Sequence, residues 1–151
     1  MPADSEAPKL PHTWRPLGVR VALWIFGGGL IAVVVVVWLL LDDEIRAQFT
    51  TLERATLVLI GLMLFTAYYA LMRSKVTATL GGLTVVNGYR KRSYEWSQVI
   101  GVSLRRGAPW GTLDLSDGTT ISVMGVQGSD GNRARRAVRE IRATIAANTP
   151  D

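Results

Sequence analysis

The sequence contains no cysteine and a single histidine, His12. The first absence removes disulfides, thiolate nucleophiles and cysteine metal ligands together. The second leaves no imidazole outside the N-terminal tail, so a neutral-pH general base or a histidine metal site has no residue to build it. Carboxylates are also sparse in the second half, where they are Glu95, Asp114, Asp117, Asp130, Glu140 and Asp151. Asp117 belongs to a turn, Asp130 stands where a helix cap belongs, and Glu95 and Asp114 should point to solvent from strands. No pair has a spacing suited to acid–base catalysis or hard-cation binding, so the reading is of no enzyme, no cofactor and no metal. Lysine is scarce too, three against 14 arginines, a bias that reads as genome composition.

Apolar residues, by contrast, are concentrated between Val19 and Met72. Val21–Leu41 is an uncharged run of 21 residues, and about 20 helical residues cross the roughly 30 Å hydrocarbon core of a bilayer. Valine is a mediocre helix former in water, but in lipid every backbone group must bond internally, which imposes the helix. The run is too long for the apolar region of a cleaved signal peptide, about 7–15 residues, and no small-x-small pattern precedes Asp42. Ala55–Met72 adds 18 uncharged residues. The expectation is an antiparallel pair of transmembrane helices at about 19–41 and 55–72, joined by a polar loop at 42–54. Gly27, Gly28 and Gly29 would allow close helix contact.

Flanking charge sets the orientation. Lys9, Arg15 and Arg20 precede the first span, Arg73 and Lys75 follow the second, and the loop holds only Arg46 and Arg54 among its acids. Both termini are therefore expected on the cytoplasmic side of the cell membrane, with the loop outside. The tail before the first span, residues 1–17, has three prolines by Pro11 and is expected to be disordered.

Beyond Lys75 the pattern changes to short alternating strands punctuated by glycine. Gly81-Gly82, Asn87-Gly88 and Asp117-Gly118 read as hairpin turns, Asn-Gly because both positions tolerate positive φ. Ile100, Val102 and Leu104 alternate with Gly101, Ser103 and Arg105, which gives one buried face. Ala134, Val138, Ile141 and Ile145 then recur at helical spacing, with Ser129 or Asp130 as the cap. The region from 75 to 148 is thus about six or seven antiparallel strands closed by one C-terminal helix. Its core should be local, so that it folds alone.

That order argues against an oligonucleotide-binding-type barrel, whose helix lies between strands. The segment Tyr94-Glu95-Trp96-Ser97-Gln98-Val99-Ile100-Gly101-Val102, the hairpin Leu113–Gly118 and the leading pair of helices resemble small actinobacterial membrane proteins with a pleckstrin-homology-like domain. The resemblance covers roughly Arg73–Ala147. It implies an α+β membrane protein, a transmembrane hairpin followed by a β-sandwich or barrel capped by one helix. Eukaryotic phosphoinositide-binding members use a basic first hairpin. The hairpin at Gly81-Gly82 carries no Lys or Arg, so that role does not transfer to it.

The candidate contacts for lipid or partner are Arg90, Lys91, Arg92, Arg105, Arg106, Trp110, Arg135, Arg139 and Arg142. The function they suggest is a non-catalytic, membrane-anchored binding or scaffolding module with a protein partner. The alternatives are an anionic-lipid headgroup sensor and an accessory subunit of a membrane transport or envelope complex; nucleic acid is not an expected partner. A basic residue close to anionic lipid contributes about 1 kcal/mol, so losing any one arginine should have a small and similar effect.

Overall fold

Residues 7–149 are described by a computed structural model, in which residues 19–72 form a helical unit and the segments on either side of them form a β-rich one. The helical unit contains α1 (Leu17–Leu40, whose first two residues belong to the β unit), α2 (Asp43–Gln48) and α3 (Thr51–Arg73). At 1.5 Å per residue α1 and α3 are each about 35 Å long, long and apolar enough to cross a membrane. Neither has a buried residue. α3 starts upstream of its apolar run because Thr50 and Glu53 satisfy each other: the Thr50 N–H donates to Glu53 Oε2 at 2.8 Å and the Glu53 N–H to Thr50 Oγ1 at 3.3 Å. Gly27 meets the Tyr68 ring so closely that a Cβ there would lie 2.9 Å from it, whereas Gly28 and Gly29 face open space.

The β unit holds β1 (His12–Trp14), β2 (Lys75–Thr79), β3 (Gly82–Asn87), β4 (Arg90–Tyr94), β5 (Val99–Ser103), β6 (Trp110–Leu115), β7 (Thr120–Gln127) and the helix α4 (Asn132–Asn148). Two antiparallel sheets result, of order β1-β2-β3-β4 and β5-β6-β7. Their inner faces and the α4 stripe enclose one core, in which Val76, Leu83, Leu113, Val123 and Ile141 are fully buried. All four predicted stripe residues of α4, Ala134, Val138, Ile141 and Ile145, are buried. Trp96 lies in a single 3-10 turn after β4 and donates from Nε1 to the carbonyls of Thr79 and Leu80, at 3.2 and 3.1 Å. It thereby fastens the β2–β3 turn.

Several expectations are corrected. The tail is not wholly disordered: His12–Trp14 pairs with β2 in the register His12↔Ala78, Trp14↔Val76, and Trp14 is part of the core. Residues 1–6 of that tail lie outside the described residues. The core is therefore not local to residues 75–148. The first turn sits at Leu80-Gly81, one residue earlier than read, because Thr79 pairs with Gly82, and the second at Gly88-Tyr89, one residue later than read, because Asn87 pairs with Arg90. Gly82 has φ +146° and a Cβ on it would overlap the Tyr94 carbonyl, so a side chain is excluded there. A bulge between Val99 and Gly101 breaks the alternation of β5: Val99 and Val102 are buried while Ile100 is 66% exposed. Lastly, Asp130 does not cap α4, whose N-cap is Gly131.

Candidate binding surfaces

The chain leaves the β unit after Gly18 and re-enters it at Arg73, and several contacts gather at that end. Trp14 Nε1 donates to Glu140 Oε2 at 2.8 Å. The Asp130 carboxylate accepts from the N–H groups of Leu17 and Gly18, at 2.9 and 2.8 Å. It caps the first turn of α1 from far along the sequence, satisfying two of the orphan donors of a helix start. The β3–β4 turn lies at the same end: the Gly88 N–H donates to buried Ser74 Oγ at 3.1 Å, and Arg73 lies over the Tyr89 ring at 5.8 Å.

Of the nine predicted contact residues the fold brings three together. Arg105 and Arg106, in the loop after β5, and Arg135, in the first turn of α4, line one cavity of about 570 Å³ with Ser129, Gly128 and Gly131. Its two loop walls are locked to each other. The Gly128 N–H donates to the Pro109 carbonyl at 3.0 Å, and a Cβ on Gly128 would overlap the Ala108 carbonyl. The Ala108 N–H closes the other loop onto the Arg105 carbonyl at 3.0 Å. Among the described residues none of these arginines has a carboxylate partner.

The other six are dispersed. Arg90 and Arg92 border a cavity of about 180 Å³ with Val85, Asn87, Ile121 and Ser122, where Asn87 ties the sheets by donating to the Ser122 carbonyl at 2.6 Å and accepting from the Met124 N–H at 2.9 Å. Strand alternation turns Lys91 to the opposite face, so β4 does not present one basic surface. Trp110 is 37% exposed at the start of β6, and Arg139 is exposed on α4. Arg142 is committed to the fold, since its Nε donates to the Val102 carbonyl at 2.7 Å.

Two features escaped the sequence. Ile100 stands beside a groove of about 570 Å³ between β5 and α4, lined also by Val99, Gly101, Arg142, Ile145 and Ala146. β5 is an edge strand, so one side of it is open to a further strand. Only a bulge exposes Ile100, and no residue type announces one. Arg15, Arg133 and Arg136 share a cleft of about 350 Å³ with the carboxylates of Asp130 and Glu140, a grouping that depends on the placement of β1. Asp117 belongs to no site. Hydrogen bonds from the Thr119 hydroxyl and N–H, at 2.6 and 2.8 Å, hold its carboxyl below the usual carboxylate range and shape the β6–β7 turn. No group of three or more metal-ligating side chains occurs among the described residues.

Residues 73–144 match the family described as the bacterial PH domain. Along its whole length the chain is also similar to uncharacterized proteins of Mycobacterium tuberculosis and Mycobacterium bovis, each 32% identical over 155 residues, which is 99% of this chain and 95% of the relative. The chain belongs to the bacterial PH domain family. No solved structure matches it. The two sheets of four and three strands with a closing helix are the architecture expected of a PH-like fold, and such a domain points to a binding module. The family match begins at residue 73, so β1 and Trp14 lie outside it although they complete the PH sheet and core.

Proposed function

We propose that this protein is a non-catalytic scaffold, anchored in the cell membrane by α1 and α3, whose PH-like domain binds a protein partner on the cytoplasmic side. The observation that carries the anchoring is the pairing of β1 with β2. These strands flank the two apolar helices in sequence yet belong to one sheet, so the chain that leaves must return to the same side, which suits an even number of crossings. Both helices carry exposed apolar side chains along their length, and in water that surface would cost about 25 cal/mol per Å². Flanking arginine and lysine favour the cytoplasm for the domain.

The partner reading rests on the β5 edge. An open strand beside an apolar groove accepts an extended segment by strand addition, with backbone bonds for affinity and pockets for specificity. The domain is basic, and Arg142 borders the groove, so the fitting occupant is an acidic, extended segment of a partner protein with an apolar side chain over Ile100.

Cysteines placed singly at Gln48 and Thr149 test the topology, since the chain has none of its own. An impermeant thiol reagent on intact cells should label position 48 and spare position 149; the reverse pattern puts the domain outside. A photo-cross-linker at Ile100 in native membranes should attach to an acidic partner segment that slows amide exchange along β5. Attachment that persists when the probe is moved to Ser116 overturns the edge-binding reading.

A further inference from the structure

We propose that the cavity formed by Arg105, Arg106 and Arg135 is a binding site for a phosphate group, carried by a membrane lipid headgroup or free in solution. This site is separate from the β5 groove, and it uses neither the β1–β2 connection nor β4.

The chemistry of its lining is one-sided. Arg105, Arg106, Arg135 and Ser129 border the cavity, and among the described residues no Asp or Glu does. Arginine presents a planar fork of donors that meets phosphate oxygens two at a time. Like charges gathered without partners repel one another, and a bound anion relieves that repulsion. Among the described residues these arginines form no ion pair, which sets them apart from Arg142, committed to the Val102 carbonyl. They also differ from Arg15, Arg133 and Arg136, whose cleft already contains Asp130 and Glu140.

The walls are preformed. The Gly128–Pro109 bond and the Arg105–Ala108 turn fix both loops, so an anion need not order them first, which lowers the cost of binding. α4 begins at the cavity with Gly131, which has no side chain to cap it, as its N-cap, a helix end that favours negative charge.

Position points to the lipid source. Ser129 and Gly131 flank Asp130 in sequence, and Asp130 holds the Leu17 and Gly18 amides of the first turn of α1. On the proposed anchoring, the cavity residues Ser129 and Gly131 therefore adjoin in sequence the residue that caps the start of the anchor. The even contribution expected of every arginine is thereby replaced by dominance of three.

The test uses the full chain in phosphatidylcholine nanodiscs, with phosphatidylglycerol, phosphatidic acid or phosphatidylserine added at matched charge, and inorganic phosphate as a separate arm. Retained lipid is read by native mass spectrometry, and phosphate binding by the shift in melting temperature. R105Q/R106Q and R135Q should each weaken binding roughly tenfold or more, because each removes charge-assisted bonds. R135K, which keeps the charge but loses the fork, should fall in between, and R90Q/R92Q should change binding little. Unliganded melting temperatures near wild type separate lost binding from lost folding. In wild type, lipid retained in high salt and not displaced by millimolar phosphate assigns the site to headgroups. Displacement by phosphate, with no lipid preference, assigns it to the free ion. Equal losses in the cavity and β4 variants, or no loss in the cavity variants, overturn the site. Recovery of the chain in the aqueous fraction without detergent would overturn the anchoring alone, because the phosphate arm still reads the cavity.

Discussion

Removing residues before Ser74 should unfold the PH-like domain, although the family match starts at residue 73. At roughly 0.05–0.15 kcal/mol per residue, a domain of this size has about 4–12 kcal/mol of stability. Deleting a core tryptophan costs about 3–5 kcal/mol, and Trp14 is buried among Val76, Val126 and Ala137 in the same cluster. Its loss also strips Glu140 of a bond to Nε1, and an unmet polar group adds about 1–3 kcal/mol. The β1 ladder and its Thr13–Thr77 hydroxyl contact go as well. Together these losses rival the whole stability. The remedy follows from register: Trp14 lies opposite Val76, so a Gly-Ser linker of about four residues, within the length of ordinary hairpin loops, can join Pro16 to Ser74 in place of residues 17–73. The joined chain should be soluble and unfold cooperatively in urea, followed by near-UV circular dichroism, with Trp14→Ala lowering its stability by about 3–5 kcal/mol. The fragment from Ser74 alone should lack a cooperative transition. If that fragment unfolds at the same midpoint as the joined chain, β1 is dispensable and the reasoning fails.

Substitution at the bulge should separate neighbours sharply. Ile100→Asp is expected to change stability by no more than about 0.5 kcal/mol, whereas Val102→Asp buries an unpaired charge and should unfold the domain; comparable denaturant midpoints for the two would refute the observed register. Gly82→Ala should cost about 2 kcal/mol or more, since alanine is strained at φ +146° and would strike the Tyr94 carbonyl, and a wild-type melting temperature would contradict it. Asp130→Ala removes the acceptor for two α1 amides and should speed hydrogen exchange at Leu17 and Gly18, with a cap-like loss of about 0.5–2 kcal/mol. Asp117 should titrate below the usual carboxylate range by NMR, and Thr119→Val should raise its pKa. Because the folded value is depressed, the hairpin's gain is present above the unfolded pKa and is lost as pH falls through the folded one.

Much of this protein was legible in its sequence because the signals were local. Uncharged runs of 21 and 18 residues mark two helices, since a bilayer core of about 30 Å asks for that length. Period-two alternation broken at Asp117-Gly118 gave β6–β7, glycine at position 88 marked the β3–β4 turn to within one residue, and the Ala134, Val138, Ile141, Ile145 spacing gave the buried face of α4. The absence of cysteine and the lone histidine limited the chemistry before any fold was known.

Only the tertiary structure decided what depends on residues meeting across long separations. His12-Thr13-Trp14 is too short to show a period and follows three prolines, so nothing local marks it as a strand; the open edge of β2 makes it one. Asp130 looked like a cap for the next helix, and the fold turned it to the start of α1, more than a hundred residues earlier in the chain. The Ile100 bulge is a property of pairing with β6 and not of the β5 sequence. Sequence supplied nine basic or aromatic candidates of equal standing. Burial, alternation and loop closure then sorted them, committing Arg142 to a carbonyl, turning Lys91 away from Arg90 and Arg92, and gathering Arg105, Arg106 and Arg135 around one cavity. Charge can be counted along a chain, but whether charges converge is set by the backbone that carries them.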